Sequence, residues 1–208
     1  MTRAASPPPV RTILWRRLDR PGHEVARLHA HDAGWQLSGS AVFGDHDEPC
    51  DLDYVVVCDR EWRTASAVVS GWIGKTSVRL ELTIDAARRW RLDGAELPQV
   101  AGCLDVDLAF SPSTNLLPIR RLDLAVGQAA PVRAAWLRFP GLTVEPLDQV
   151  YTRIDPTTYR YESGGGAFTA MLRTNAAGLV ISYPDLWEAV QSGPAAHTAR
   201  RRSGAAPR

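Results

Sequence analysis

The chain has 208 residues, 45% of them apolar and 7 of them tryptophan, enough for an ordinary core in one large β domain or two small ones. Its 24 basic and 23 acidic residues leave a formal charge of +1, which argues against nucleic acid held by charge alone. No apolar run approaches the ~18 residues of a membrane-spanning helix, and the odd set Cys50, Cys58 and Cys103 makes neither a C-x-x-C pair nor a disulfide framework.

Residues 1–10 carry three prolines and no signal-peptide apolar segment, so they read as a disordered start, with reduced thiols and a cytoplasmic location expected. The first strand sets Ile13, Trp15 and Arg17 against Leu14, Arg16 and Leu18, an arginine sharing a face with large apolar groups. His23, His29 and His31 follow. His29 and His31 share a strand face, but without a clustered carboxylate or thiol no metal site is expected.

Trp35, Leu37, Gly39, Ala41 and Phe43 then alternate with Gln36, Ser38 and Ser40, and Val78, Leu80, Leu82 and Ile84 alternate with Arg79, Glu81 and Thr83. This period of two is the strand signal. Turns fall at 19–22, 44–49 and Asp93-Gly94, the last suited to a tight hairpin. Next, Leu104, Val106, Leu108 and Phe110 alternate with Asp105 and Asp107, whose Cα atoms lie ~6.5–7 Å apart on a strand. Two carboxylates so spaced suit glycoside hydrolysis, although outward-facing acids are common on strands. Asp51 and Asp53 repeat the spacing.

A Ser/Pro/Thr/Asn turn at 111–118 leads into residues 119–126, read as a strand with Arg120, Leu122, Leu124 and Val126 on one face. Residues 132–139 mix Ala134, Trp136 and Arg138 on one face in the same way. Sheets on a dry core avoid such patterns, since a buried unpaired charge costs several kcal/mol. A sheet lining a concave, partly wet pocket uses them. Tyr159 and Tyr161 project together and, with Tyr151 and Trp136, offer a surface for a sugar or an acyl chain. Gly164-Gly165-Gly166 is a hairpin loop, strands resume through Phe168, Ala170 and Leu172 and through Leu179, Ile181 and Tyr183, and residues 184–190 carry a helix-start signal in Pro184-Asp185. Residues 191–208 read as a disordered basic tail containing Arg200-Arg201-Arg202. No G-x-S-x-G occurs, and no cysteine has an activating neighbour.

These elements predict an all-β chain: one domain over 11–190 whose curved antiparallel sheet forms an incomplete or closed barrel, with one or two short helices. Several segments carry a family resemblance: Gly34-Trp35, Glu61-Trp62-Arg63-Thr64, Thr114-Asn115, Leu117-Pro118-Ile119-Arg120-Arg121, Ala134-Ala135-Trp136 with Phe139-Pro140, and Gln149-Val150-Tyr151. Together they resemble a bacterial family of uncharacterised proteins labelled "putative glycolipid-binding" over about residues 11–190. The resemblance implies a fold similar to the incomplete barrels of periplasmic lipoprotein carriers and brings no catalytic residues with it; no cofactor or metal is expected. Its implied partner is a small amphiphile such as a glycolipid or its precursor. Ligand-binding candidates are Arg63, Asn115, Arg120, Arg121, Trp136, Arg138, Tyr151, Tyr159 and Tyr161. The alternatives are an enzyme acting on a sugar or lipid ester through Asp105 and Asp107, and a protein-interaction module using a free sheet edge or the basic tail.

Overall fold

Residues that alternate apolar with polar, many of them β-branched or aromatic, pair readily on a pleated surface, and 61% of the described residues are strand. A computed structural model describes residues 11–194; the expected disordered stretch 1–10 and the arginine run at 200–202 lie outside the described residues. The first half is a meander of β1 (Arg11–Arg17), β2 (Gly22–His31), β3 (Gly34–Asp45), β4 (Glu48–Asp59), β5 (Thr64–Ile73), β6 (Thr76–Ile84), β7 (Trp90–Leu92) and β8 (Ala95–Glu96). The second half holds β9 (Asp105–Leu108), α1 (Leu116–Leu122), β10 (Ala129–Leu137), β11 (Val144–Arg153), β12 (Thr158–Ser163), β13 (Phe168–Thr174), β14 (Val180–Tyr183) and β15 (Trp187–Pro194).

One sheet contains all fifteen strands, in the order β8-β7-β6-β5-β4-β3-β2-β1-β15-β14-β13-β12-β11-β10-β9, antiparallel except where β9 runs parallel to β10. The sheet is curled but not closed. Its β9 edge reaches β5, where Thr64 N–H donates to the Leu104 carbonyl at 2.9 Å and Val106 N–H to Thr64 Oγ1 at 3.0 Å. Arg88 clamps this seam by donating to the carbonyls of Thr64, Cys103 and Leu104 at 2.8–3.2 Å. The Leu108 N–H is taken by Thr114 Oγ1. These bonds satisfy edge donors of β9 that an added strand would otherwise need.

Two local expectations change. Residues 119–126 are not a strand: Leu116–Leu122 is helical, and Asp123, left-handed at φ 41°, ends it. Residues 184–190 are not a helix: Asp185 has φ 64° in a tight connection, and Trp187 onward pairs with β1 as β15. That strand runs to Pro194, so the fold extends past the boundary expected at 190.

The concavity expected to be hollow is largely occupied by α1. Leu116, Leu117 and Ile119 are buried in the one core cluster, which draws residues from both halves of the curl. Burial of such side chains contributes ~1.5–3 kcal/mol each. Arg17 does face inward with Ile13 and Trp15, its guanidinium held between Phe43 at 4.5 Å and Trp187 at 4.9 Å.

Gly39 pairs with Tyr54 across β3 and β4, and a Cβ there would lie 2.5 Å from Tyr54 Cζ and 2.6 Å from the Val25 oxygen. The missing side chain lets the Tyr54 hydroxyl reach buried Glu24 at 2.5 Å. Gly39→Ala is therefore expected to cost about 1–3 kcal/mol through overpacking, read as a lower urea midpoint at unchanged m-value.

Candidate functional site

The segment between β9 and α1 turns tightly because its side chains bond its own backbone and its neighbours. Ser113 N–H donates to Ser111 Oγ at 3.0 Å, and Asn115 Nδ2 to the Pro112 carbonyl at 3.2 Å. Ser111 Oγ donates to Glu24 Oε1 at 2.6 Å. The turn thus forms one wall of a basin of about 300 Å³ beside the N-terminal end of α1. Asp107 comes from β9, Trp136 from β10, Tyr161 from β12, Phe168 from β13 and Trp187 from β15. The aromatic wall is continuous: Tyr161 lies 5.1 Å from Tyr151, 6.1 Å from Phe168 and 6.2 Å from Tyr183 between ring centroids.

Asp107 is the one carboxylate lining the basin. Gln149 Nε2 donates to its Oδ2 at 2.6 Å. Burial pushes its carboxyl up to about 6 despite that bond, with Asp105 adding to the rise. Asp105 is committed elsewhere: Arg121 Nε and Nη2 hold both of its oxygens, at 3.0 and 2.5 Å. The carboxylate pair therefore does not flank one cavity, as hydrolysis of a glycosidic bond between two carboxyls requires.

β12 stops at Ser163, whereas β11 continues beside β10 along residues 144–148. The resulting notch adjoins a groove of about 550 Å³ that passes over Pro131, Val132 and Val150 and shares Ser163 with the basin, while Gln149 in its lining bonds the basin's Asp107. Arg133, Asp148 and Glu162 rim it.

The nine candidate side chains fall in separate places. Asn115, Trp136 and Tyr161 line the basin. Tyr151 lies buried beneath, its hydroxyl donating to Asn115 Oδ1 at 2.9 Å. Arg138 sits outside, stacked 5.1 Å over Trp136 and paired with Glu145 at 3.3 Å. Arg63, Arg120 and Arg121 line a different depression, near the C-terminal end of α1. Tyr159 is buried under Arg153, which lies 5.7 Å from its ring.

Sequence reasoning passed over Glu24, Phe168, Tyr183 and Trp187. Glu24 had a signal, since it shares a strand face with Ala26 and Leu28. For the three aromatics only the strand order supplies one. Among the described residues no three His, Cys, Asp or Glu side chains gather to hold a metal ion. The three cysteines are buried and free, and burial pushes Cys58 up to about 12 and Cys103 to about 11, far from thiolate reactivity at neutral pH. No helix among the described residues is long and apolar enough to cross a membrane.

No curated protein matches the chain. A crystal structure of a DUF1089 family protein from Pseudomonas aeruginosa, at 1.80 Å, is similar to it with a TM-score of 0.71 and 37% sequence identity. The match covers 79% of this chain and 91% of that one. The profile of the family described as "putative glycolipid-binding" matches residues 12–189. The chain belongs to that "putative glycolipid-binding" family.

Proposed function

We propose that this chain is a non-catalytic binder of a glycolipid or glycolipid precursor, with the sugar in the basin and the apolar part along the adjoining groove. The observation carrying this reading is the make-up of the basin: one carboxylate, an amide and two serines set among Trp136, Tyr161, Phe168 and Trp187. Sugars present apolar ring faces to stack and hydroxyls to donate, and this wall offers both complements. A volume of about 300 Å³ is at the small end for ligand pockets, enough for a polar cap but not for a whole lipid. The groove past Gln149 and Ser163 supplies a path for the remainder. Three buried free thiols support a reducing compartment, the cytoplasm.

Tryptophan fluorescence titrated with dodecyl glucoside, against dodecanol as the sugar-free control, tests the reading. The glucoside is expected to saturate the signal. Asp107→Asn should weaken it about ten- to a hundredfold, the scale of a lost hydrogen bond to a charge, and Trp136→Ala several-fold. Dodecanol binding as tightly as the glucoside would defeat recognition of a headgroup. Asp107 titrates at about 6, and only its carboxylate form accepts from sugar hydroxyls on both oxygens. Affinity should therefore fall as pH drops through about 6 in the parent and stay level in Asp107→Asn.

A further inference from the structure

Near the C-terminal end of α1 lies a second depression, which the sugar-binding reading does not use. It has a volume of about 420 Å³, lined by Arg60, Trp62, Arg63, Arg120 and Arg121 with Glu61 and Leu104. A smaller hollow of about 210 Å³ shares Trp62 and Arg120 with it and adds Arg11 and Trp35. We propose that Arg60, Arg63 and Arg120, arrayed around the Trp35–Trp62 stack, form a binding site for a phosphoryl group.

Charge is the first argument. The whole chain is nearly neutral at +1. Here, however, Arg11, Arg60, Arg63 and Arg120 have no carboxylate within 4 Å among the described residues, and Glu61 is the one acid in the lining. Arg121 is neutralised by Asp105 and serves as wall. Like charges gathered in this way repel unless an anion joins them, and guanidinium forks match phosphoryl oxygens two at a time.

Preorganisation is the second argument. Trp62 stacks on Trp35 with centroids 4.7 Å apart and planes 12° from parallel. The Arg120 guanidinium lies 5.3 Å from the Trp62 ring, which restricts a side chain that would otherwise sweep through solvent. The backbone of Trp62 is left-handed, φ 67°, costly for a bulky residue by about 1–3 kcal/mol. Asp59 holds it there: its Oδ1 accepts the Glu61 and Arg63 amides at 3.0 and 2.8 Å, and its carbonyl accepts Trp62 N–H at 3.1 Å. The strained turn buries the indole while displaying Arg60 and Arg63 on either side of it. An arginine face that was merely solvated would need none of this.

A phosphorylated lipid headgroup and a free phosphate ester share this chemistry, so the experiment has two arms. Inorganic phosphate is titrated calorimetrically, and flotation is measured with phosphatidylcholine vesicles with and without phosphatidic acid. Saturable phosphate binding, or flotation that depends on phosphatidic acid, is expected. Arg63→Ala with Arg120→Ala should lower either about ten- to a hundredfold, while Arg79→Ala on the outer sheet face leaves it unchanged. Phosphate binding alone identifies a soluble ester as the source; flotation alone identifies a lipid. If Arg120→Ala lowers the melting temperature, Arg63→Ala alone decides, since that side chain is exposed. No response in either arm, or one that survives the arginine substitutions, overturns the site. Dodecyl glucoside binding in the basin is read separately and is expected to persist in these variants.

Discussion

Arg121→Ala is expected to destabilise the fold by about 3–5 kcal/mol, because it strands a buried carboxylate. Asp105 is 1% exposed, and the Arg121 fork is the one side-chain partner of its oxygens among the described residues. Burial already raises the Asp105 carboxyl, and Arg121 opposes that rise. Without the guanidinium the carboxyl rises further, and a carboxyl raised in the folded state stabilises below its unfolded pKa and loses that contribution as pH increases. The Arg121→Ala deficit should therefore be smaller in acid and larger at neutral pH, when urea midpoints are compared. Asp105→Leu with Arg121→Met removes both charges and should recover most of the loss. A double-mutant cycle with no coupling between the two positions would refute the buried-pair account. The pair also fixes α1 against β9, so it holds the helix between the basin at one end and the arginine cluster at the other.

Strand content was legible because alternation survives wherever one face is buried, as in Val78 to Ile84, and because Asp93-Gly94 supplies two left-handed residues for its hairpin, φ 49° and 85°. The helix was not legible. Leu116, Leu117, Ile119 and Leu122 form an apolar run too short to separate the two periods, and the apparent alternation through Leu124 crosses the helix end at Asp123. In residues 184–190 the Pro-Asp helix-start signal is local, and pairing with β1 overrides it: Arg17 faces Trp187 across the ladder. The buried Asp105 of β9 and the mixed face of β10 have a cause that alternation does not register. Asp105, Val106 and Leu108 are buried, as are Ala134, Ala135 and Leu137, so these strands are covered on both sides. The basin joins residues from Asp107 to Trp187, neighbours only through the strand order, and no spacing in the sequence encodes that order.

Glu24→Gln is expected to flatten the pH dependence of stability and to exceed the parent in stability in mild base. Glu24 is 1% exposed. Its Oε1 accepts from Tyr54 at 2.5 Å and Ser111 at 2.6 Å, while Oε2 has no partner among the described residues. Burial pushes the carboxyl up to about 8, against the opposing pull of Ser111, Tyr54 and Arg17. Between about 4.5 and about 8 the folded chain thus holds a proton that the unfolded chain has released. Stability from this group is complete below the unfolded pKa and declines as pH rises through about 8. Across that interval, at about 1.4 kcal/mol for each step of one in pH, the decline is of order a few kcal/mol. Urea unfolding of both proteins between pH of about 6 and about 8, above the Asp107 titration, should show the parent losing more stability than Glu24→Gln; parallel profiles would refute the assignment. Because Ser111 both bonds Glu24 and walls the basin, ionising Glu24 disturbs the site as well. Glucoside affinity in the parent should then peak between the Asp107 titration at about 6 and the Glu24 titration at about 8, with Glu24→Gln abolishing the alkaline limb alone.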